Sequence, residues 1–479
     1  MNLFIDSNLK SDENSLYLLS DLQELEHTSL GSDQKGFIKK HFNDKSRNFF
    51  SFNMYTYYLC VQFVSKENNP ENLEKLRKNG SDLNRFCEKE EIDRIIVIPL
   101  SMMDFLTLAY LEGAILSSYR YRKHQRTEEN KVLLNDIAVR ASDISQDQLK
   151  KLSNLEEATR YTKDFVNDPP NTLTATTFAY KIHELCQKAG ASVEVLGKGE
   201  LERLEMNGIL TVNKGSVSDP AFTIIEWKPK DAIHDQPIVL VGKGLVFDTG
   251  GINLKPTNGL IEMKSDMAGG AAVFGTMYAL AKNNVPVYVV GLIPCTDNRP
   301  GGDAMVPGDV IRYNNGKTVE IINTDAEGRL ILADALLHAK KYDPRLVVDI
   351  ATLTGAAQVA LGKYAIAAMH ENASGFMAAL EKSGWTVFER IHELPFWEEY
   401  GVDIISDIAD IRNLGKGRGA GTITAGKFLA HFVNYPWIHL DIASTAFTDI
   451  AYSYRGKGAT ASGVRLLYDF ISNLDSKTD

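Results

Sequence analysis

Residues 318–341 read TVEIINTDAEGRLILADALLHAKK: a short strand-like run, a polar break and a long helical pattern. Thr318–Asn323 reads as a strand, and Ala326–Lys341 places its apolar residues at helical spacing. Between them, Thr324-x-x-Glu327 has the form of a capping box, with Thr324 closing the helix start and Glu327 reaching back from the third position. That reading leaves Asp325 and Arg329 without a purpose, on a loop that leaves a buried strand.

The same strand-then-helix order continues outward. Pro237–Val241, Val285–Ile293, Arg345–Ile350 and Trp437–Ile442 are further strand candidates, and Met267–Ala281 and Thr422–Val433 further helices. This alternation predicts an α/β fold over residues 171–479, with a mixed sheet covered by helices on both faces. At 479 residues the chain is too long for one ordinary core. Residues 1–145 are expected to form a separate, non-catalytic N-terminal α/β domain serving assembly or regulation. There Leu73–Glu91 is dense in charge and carries an Asn79-Gly80 turn signal, Arg94–Leu100 reads as a buried strand and Phe105–Tyr121 as a helix. Ser142–Val166 is polar and helix-prone and stops at Asn167-Asp168-Pro169-Pro170-Asn171, so residues 146–170 are expected to be a helical linker.

Composition excludes several functions. A charged fraction of 24% and a net charge of −10 belong to a globular chain and argue against a general nucleic-acid surface. Met1–Lys10 has neither a basic nor an apolar leader region, and the most apolar window, Ile95–Leu116, is interrupted by Pro99, Asp104 and Glu112. Neither a signal peptide nor a membrane span is expected. Cys60, Cys87, Cys186 and Cys295 are too scattered for a disulfide framework or a thiolate zinc site, which fits buried thiols and a reducing cytoplasm.

The unusual residues follow the strand candidates, where open α/β sheets gather their ligands. Gly242-Lys243-Gly244-Leu245-Val246-Phe247-Asp248-Thr249-Gly250-Gly251 is followed by Lys255, and Met263-Lys264-Ser265-Asp266 by an apolar helix. Singly, these admit plain readings: a glycine-rich hairpin with solvent-facing lysines, a helix N-cap at Asp266, and a solvated Lys264. Together, Asp248, Asp266, Asp325 and Glu327 would crowd one site, and that many anions need cations among them. Two divalent metals about 3.5–4 Å apart would neutralise them. An oxygen-rich set suits Mg or Mn and tolerates Zn. Gly421–Phe428 spaces its glycines and lysine like a P-loop but has Phe428 where a Ser or Thr should hold Mg, so nucleotide binding is set aside. His338 and His431 lie in helical patterns without partner spacing and read as core or surface residues.

NTDAEGRL at Asn323–Leu330, VGKGLVFDTGG and KSDMAGGAA upstream, and ATLTGA at Ala351–Ala356 together resemble the leucyl aminopeptidase, or cytosol aminopeptidase, family. The resemblance spans roughly residues 155–470 and fades toward the N-terminus. It implies that Asp248 and Glu327 bridge two divalent metals (Mn or Zn, with Mg and Co as further options), that Lys243 and Asp266 complete one site, and that Asp325 completes the other. A metal-bridging water would be the nucleophile and Lys255 the electrophile at the scissile carbonyl. Arg329, with main-chain groups of Ala326, Gly328 and Leu353, would seat a bicarbonate acting as proton shuttle. Met263, Asn323, Thr352, Gly355 and Ala443 match substrate-binding positions, implying release of apolar N-terminal residues such as Leu or Met. Ala446 stands where a larger Met is frequent, which predicts a roomier pocket. The resemblance further implies a homohexamer acting on peptides with a free N-terminus. A different two-metal hydrolase, such as a phosphoesterase, and a secondary DNA-binding role are the alternatives.

Overall fold

The computed structural model describes residues 1–6, 12–42, 47–126, 132–417 and 419–474. The chain divides into two compact units, Met1–Glu157 with Ala451–Gly456, and Ala158–Ile450 with Lys457–Asp479.

The first unit contains β1 (Asn2–Ile5), β2 (Ser15–Leu19), α1 (Ser32–His41), β3 (Phe49–Asn53), β4 (Tyr58–Phe63), α2 (Pro70–Lys89), β5 (Arg94–Pro99), α3 (Asp104–Leu116) and β6 (Asp136–Val139). Its sheet runs β1-β6-β5-β2-β4-β3, parallel throughout except at β3–β4. Period-two alternation sends Leu16 and Leu18 into one core, and Tyr17 and Leu19 into the other.

The expected turn at Asn79-Gly80 does not form. α2 runs straight through it, started by the Asn69 side chain, which accepts the Asn72 amide at 2.8 Å, and by Pro70 in the first turn. Gly80 serves close packing instead. A Cβ there would lie 2.0 Å from the Tyr110 carbonyl oxygen, and one at Gly113 would lie 1.9 Å from that of Arg77, so α2 and α3 cross with their backbones in contact.

α4 (Gln146–Asn167) contains the boundary between the units. The second unit continues with α5 (Ala175–Ala189), β7 (Ser192–Leu196), α6 (Lys198–Arg203), α7 (Asn207–Asn213), β8 (Ala221–Trp227), β9 (Ile238–Gly242), β10 (Gly244–Asp248), α8 (Thr257–Leu260) and α9 (Ala268–Lys282). Then come β11 (Val289–Asn298), β12 (Val310–Arg312), β13 (Thr318–Glu320), α10 (Gly328–Ala339), β14 (Leu346–Ala351), α11 (Gly355–Leu361), β15 (Ile366–Glu371) and α12 (Ser374–Val387). β16 (Ile391–Glu393), β17 (Ile411–Arg412), α13 (Gly421–Ala430), β18 (Trp437–Asp441) and α14 (Val464–Ser472) follow.

The main sheet is mixed, ordered β16-β15-β18-β14-β9-β11-β8-β7, with β10 pairing further along β11. Its centre, β18-β14-β9-β11, is parallel and fully buried. One face packs on α7, α10 and α13, and the other on α5 and α9, with α14 against α9 and α12. This is the mixed, doubly covered sheet expected. The chain passes from β9 to β11 on one side and returns to β14 on the other, which opens a crevice at the carboxyl ends of β9 and β14. Glycines let α9 sit against those ends: a Cβ at Gly269 would lie 2.1 Å from the Ile350 carbonyl oxygen.

β13 departs from expectation. It stops at Glu320 and belongs to a separate three-stranded sheet, β12-β13-β17. Among the described residues no helix is long and apolar enough to cross a membrane.

Replacing Gly113 with Ala should destabilise the first unit by about 1–3 kcal/mol, because the α2–α3 backbones must separate. Urea unfolding of the full chain checks this; an unchanged transition would contradict the close crossing.

Candidate active site

Lys243 occupies the one-residue break between β9 and β10. Its amide donates to the Ile350 carbonyl at 3.1 Å, and its own carbonyl accepts from Gly270 at 2.7 Å. The glycine-rich segment is therefore no hairpin: β9 and β10 both run parallel to β11 and interrupt one another only there. The Lys243 side chain is buried, not solvent-facing, and passes over Gly328, where a Cβ would meet its Cε at 2.5 Å. Its ammonium donates to both Asp266 oxygens at 2.8 Å and to the Thr352 carbonyl at 3.0 Å, and lies 3.2 Å from Glu327 Oε1.

Asp266 does not cap α9. The helix begins after Met267 without a side-chain cap, and the Asp266 carboxylate instead accepts from Lys243 and, at 2.7 Å, from Thr352 Oγ1. Asp248 ends β10, where Oδ1 accepts from the Gly250 amide at 2.8 Å and from Asn298 Nδ2 at 2.9 Å. Its Oδ2 lies 2.7 Å from Lys255 Nζ, which also pairs with Asp325. Carboxylate oxygens of Asp248, Asp325 and Glu327 come within 4.8 Å of one another. Glu327 Oε2 is buried and has no hydrogen-bond partner among the described residues.

The capping box does not form either. α10 starts at Gly328, with Glu327 in its N-cap position making no cap bond, because that carboxylate points to Lys243. Thr324 Oγ1 donates to the Gly250 carbonyl at 2.6 Å, and accepts from the Asn253 amide at 2.9 Å. Thr324 thus joins the 323–327 loop to the loop after β10. Asn413 holds the loop from its other side: its Nδ2 donates to the Asn323 carbonyl at 2.7 Å, and its Oδ1 accepts from the Ile322 amide at 2.7 Å. The Asn413 carbonyl accepts from Arg329 at 2.8 Å. Arg329 is buried, and its Nε has no partner among the described residues.

Burial alone would depress both lysines. Asp266, Glu327 and Asp248 outweigh it at Lys243, and Asp248, Glu327 and Asp325 do so at Lys255, so both ammonium groups are held above their ordinary pKa. Burial raises Asp266 and Asp325 above the usual carboxylate range, against the pull of Lys243 and Lys255 respectively. Burial also lowers Arg329, to about 10.

These groups line a cleft of about 170 Å³. Lys243, Asp248, Lys255, Asp266, Asp325 and Glu327 share it with Met263, Thr352, Leu353, Gly355, Ala443 and Ala446. Asn323, Ala326, Gly328 and Arg329 do not line it, and the Leu353 amide donates to Asp441 at 3.1 Å. The sequence reading missed Asn253, Asn298, Asn413 and Asp441. Of these, Asn298 and Asp441 left a signal, each as the polar end of an apolar strand.

Gly421–Phe428 is the first part of α13, with no loop to cradle a phosphate. His338 and His431 carry no metal-ligand cluster among the described residues, and His338 packs on Phe222 with ring centroids 5.2 Å apart. All four cysteines are free and buried. Lys264, expected to be solvated, is half-buried and donates to the Asn167 carbonyl at 2.7 Å.

A model of the catalytic domain of the cytosol aminopeptidase family matches residues 160–468. A probable cytosol aminopeptidase of Geotalea uraniireducens is 44% identical over 373 residues, 76% of this chain and 75% of that one. One of Geobacter sulfurreducens is 48% identical over 316 residues, 66% of this chain and 63% of the relative. One of Roseiflexus castenholzii is 39% identical over 409 residues, covering 82% and 83%. Among solved structures, the bottromycin maturation enzyme BotP in complex with Mn matches with a TM-score of 0.84 at 28% identity, over 97% of this chain and 99% of that chain.

Asn413→Ala should destabilise the chain by about 1–3 kcal/mol, since it strips hydrogen bonds from a buried loop. Thermal unfolding of the variant checks this; a wild-type transition would remove Asn413 as the loop's anchor.

Proposed function

This chain belongs to the cytosol aminopeptidase family and is a leucyl aminopeptidase-type metallo-hydrolase, and from that premise we propose how its cleft divides the work of releasing N-terminal amino acids. One observation carries the reading: Asp248, Asp325 and Glu327 bring their oxygens within 4.8 Å of one another at a point where Lys243 and Lys255 also converge.

The donors fit two divalent cations. Asp248, Asp266, Asp325 and Glu327 would hold them, with Lys243 joining as a neutral amine once the cations displace its proton. The Glu327 oxygen that lacks a partner here is a ligand to spare, and Asp248, Asp266 and Glu327 are buried. Bound there, two such ions lower the pKa of a water and act as Lewis acids toward a carbonyl. Mn and Zn suit the set, with Mg and Co as further options; the Mn in the BotP structure agrees with this.

Lys255 is the partly exposed cation of the cleft, so it can reach a scissile carbonyl and stabilise the oxyanion that develops there. Asp266 stands beside Met263 and would receive the substrate's free α-amine, which confines cleavage to the N-terminal residue. Arg329, with main-chain groups of Ala326, Gly328 and Leu353, would seat bicarbonate as the proton carrier. The unpartnered, buried Arg329 Nε supports an anion there. Met263, Thr352, Gly355 and Ala443 would line the pocket for the first side chain, with Asn323 placing the loop beside it. Ala446 leaves that pocket roomy. A homohexamer and a cytoplasmic setting are carried over from the family resemblance.

Glu327→Gln should lower kcat/KM on Leu-p-nitroanilide at least about 100-fold with thermal unfolding retained, and chelation should abolish wild-type turnover until a divalent metal is restored. Turnover near wild type in Glu327→Gln, or indifference to chelation, would overturn the assignment. Phe-p-nitroanilide should gain on Leu-p-nitroanilide relative to an Ala446→Met variant; equal ratios would contradict the roomy pocket.

A further inference from the structure

We propose that Asn167 is a positioning residue that sets the pocket for the first substrate side chain by fastening two of its lining segments, the first of them through Lys264. This rests on the aminopeptidase reading above.

The first segment is the turn at residues 262–266. Glu262, Met263, Ser265 and Asp266 line the cleft, whereas Lys264 does not. Its amine donates to the main-chain carbonyl of Asn167 at 2.7 Å. The second segment carries Ala446. Asn167 Oδ1 accepts the Ala459 amide at 3.1 Å. The next residue, Thr460, donates its hydroxyl to the carbonyls of Thr445 at 2.6 Å and Ala446 at 3.0 Å, and its amide to Ala446 at 3.1 Å.

Both segments are therefore tied to one buried residue at the end of α4. The approach is close on purpose: Gly458 has φ +86, and a Cβ there would lie 2.7 Å from Asn167 Oδ1. Pro169 and Pro170 stop the chain just beyond and fix its exit. Neither segment belongs to the main sheet, and Ala459 is the last residue of a separate two-stranded sheet, so the bonds of Asn167 and Thr460 act beside that strand pairing to hold the pocket segments. The Asn-Asp-Pro-Pro-Asn stretch thereby gains a role beyond ending a helix.

The test measures kcat and KM on Leu-, Met- and Ala-p-nitroanilide for wild type, Asn167→Ala, Lys264→Met and Lys264→Arg. The preference for Leu over Ala should fall about tenfold in Asn167→Ala and Lys264→Met, through KM for the larger residues, because the walls no longer meet them. The Ala substrate should change little, and Lys264→Arg, which keeps a donor, should recover toward wild type. An unchanged Leu-to-Ala ratio, or an equal loss of kcat on all three substrates, would overturn the proposal. Should Asn167→Ala fail to fold, the two Lys264 variants decide it. A wild type that releases none of the three amino acids would instead overturn the aminopeptidase reading, and this proposal with it.

Discussion

Carboxylates packed into one buried cleft repel one another strongly, and they stay ionised only where positive charge stands among them. Here Lys243 touches Asp266 and Glu327, and Lys255 touches Asp248 and Asp325. Those two lysines and the metals assigned to the site answer the same electrostatic demand. The surrounding architecture serves that convergence. A break between β9 and β10 turns Lys243 inward, glycine at 269 lets α9 close on the strand ends, and glycine at 328 lets the lysine side chain through.

Much of this was legible in the residues. Strand and helix candidates at Pro237–Val241, Met267–Ala281 and Trp437–Ile442 lie within a residue of β9, α9 and β18, because long apolar periodicity survives tertiary packing. The carboxylates and lysines stood out because charge beside glycine at a strand exit is hard to explain otherwise.

What failed was local. Thr324-x-x-Glu327 and Asp266 have capping chemistry, yet Lys243 and Thr352 draw the carboxylates away and Gly250 and Asn253 take the hydroxyl. Asn79-Gly80 has turn chemistry, yet α2 needs that glycine for its crossing with α3. Asn253, Asn298 and Asn413 act through contacts with residues distant in the chain, and no local pattern reveals such partners. Lys264 looked solvated for the same reason: its partner lies 97 positions away.

The central claim is that this lysine and carboxylate lattice is a two-cation site. The direct measurement is the number of divalent ions retained per chain after metal loading and exhaustive dialysis, in wild type and in Glu327→Gln. The account predicts two ions in wild type and fewer in the variant. No retained ion in the wild type, or the same count in both proteins, would contradict it.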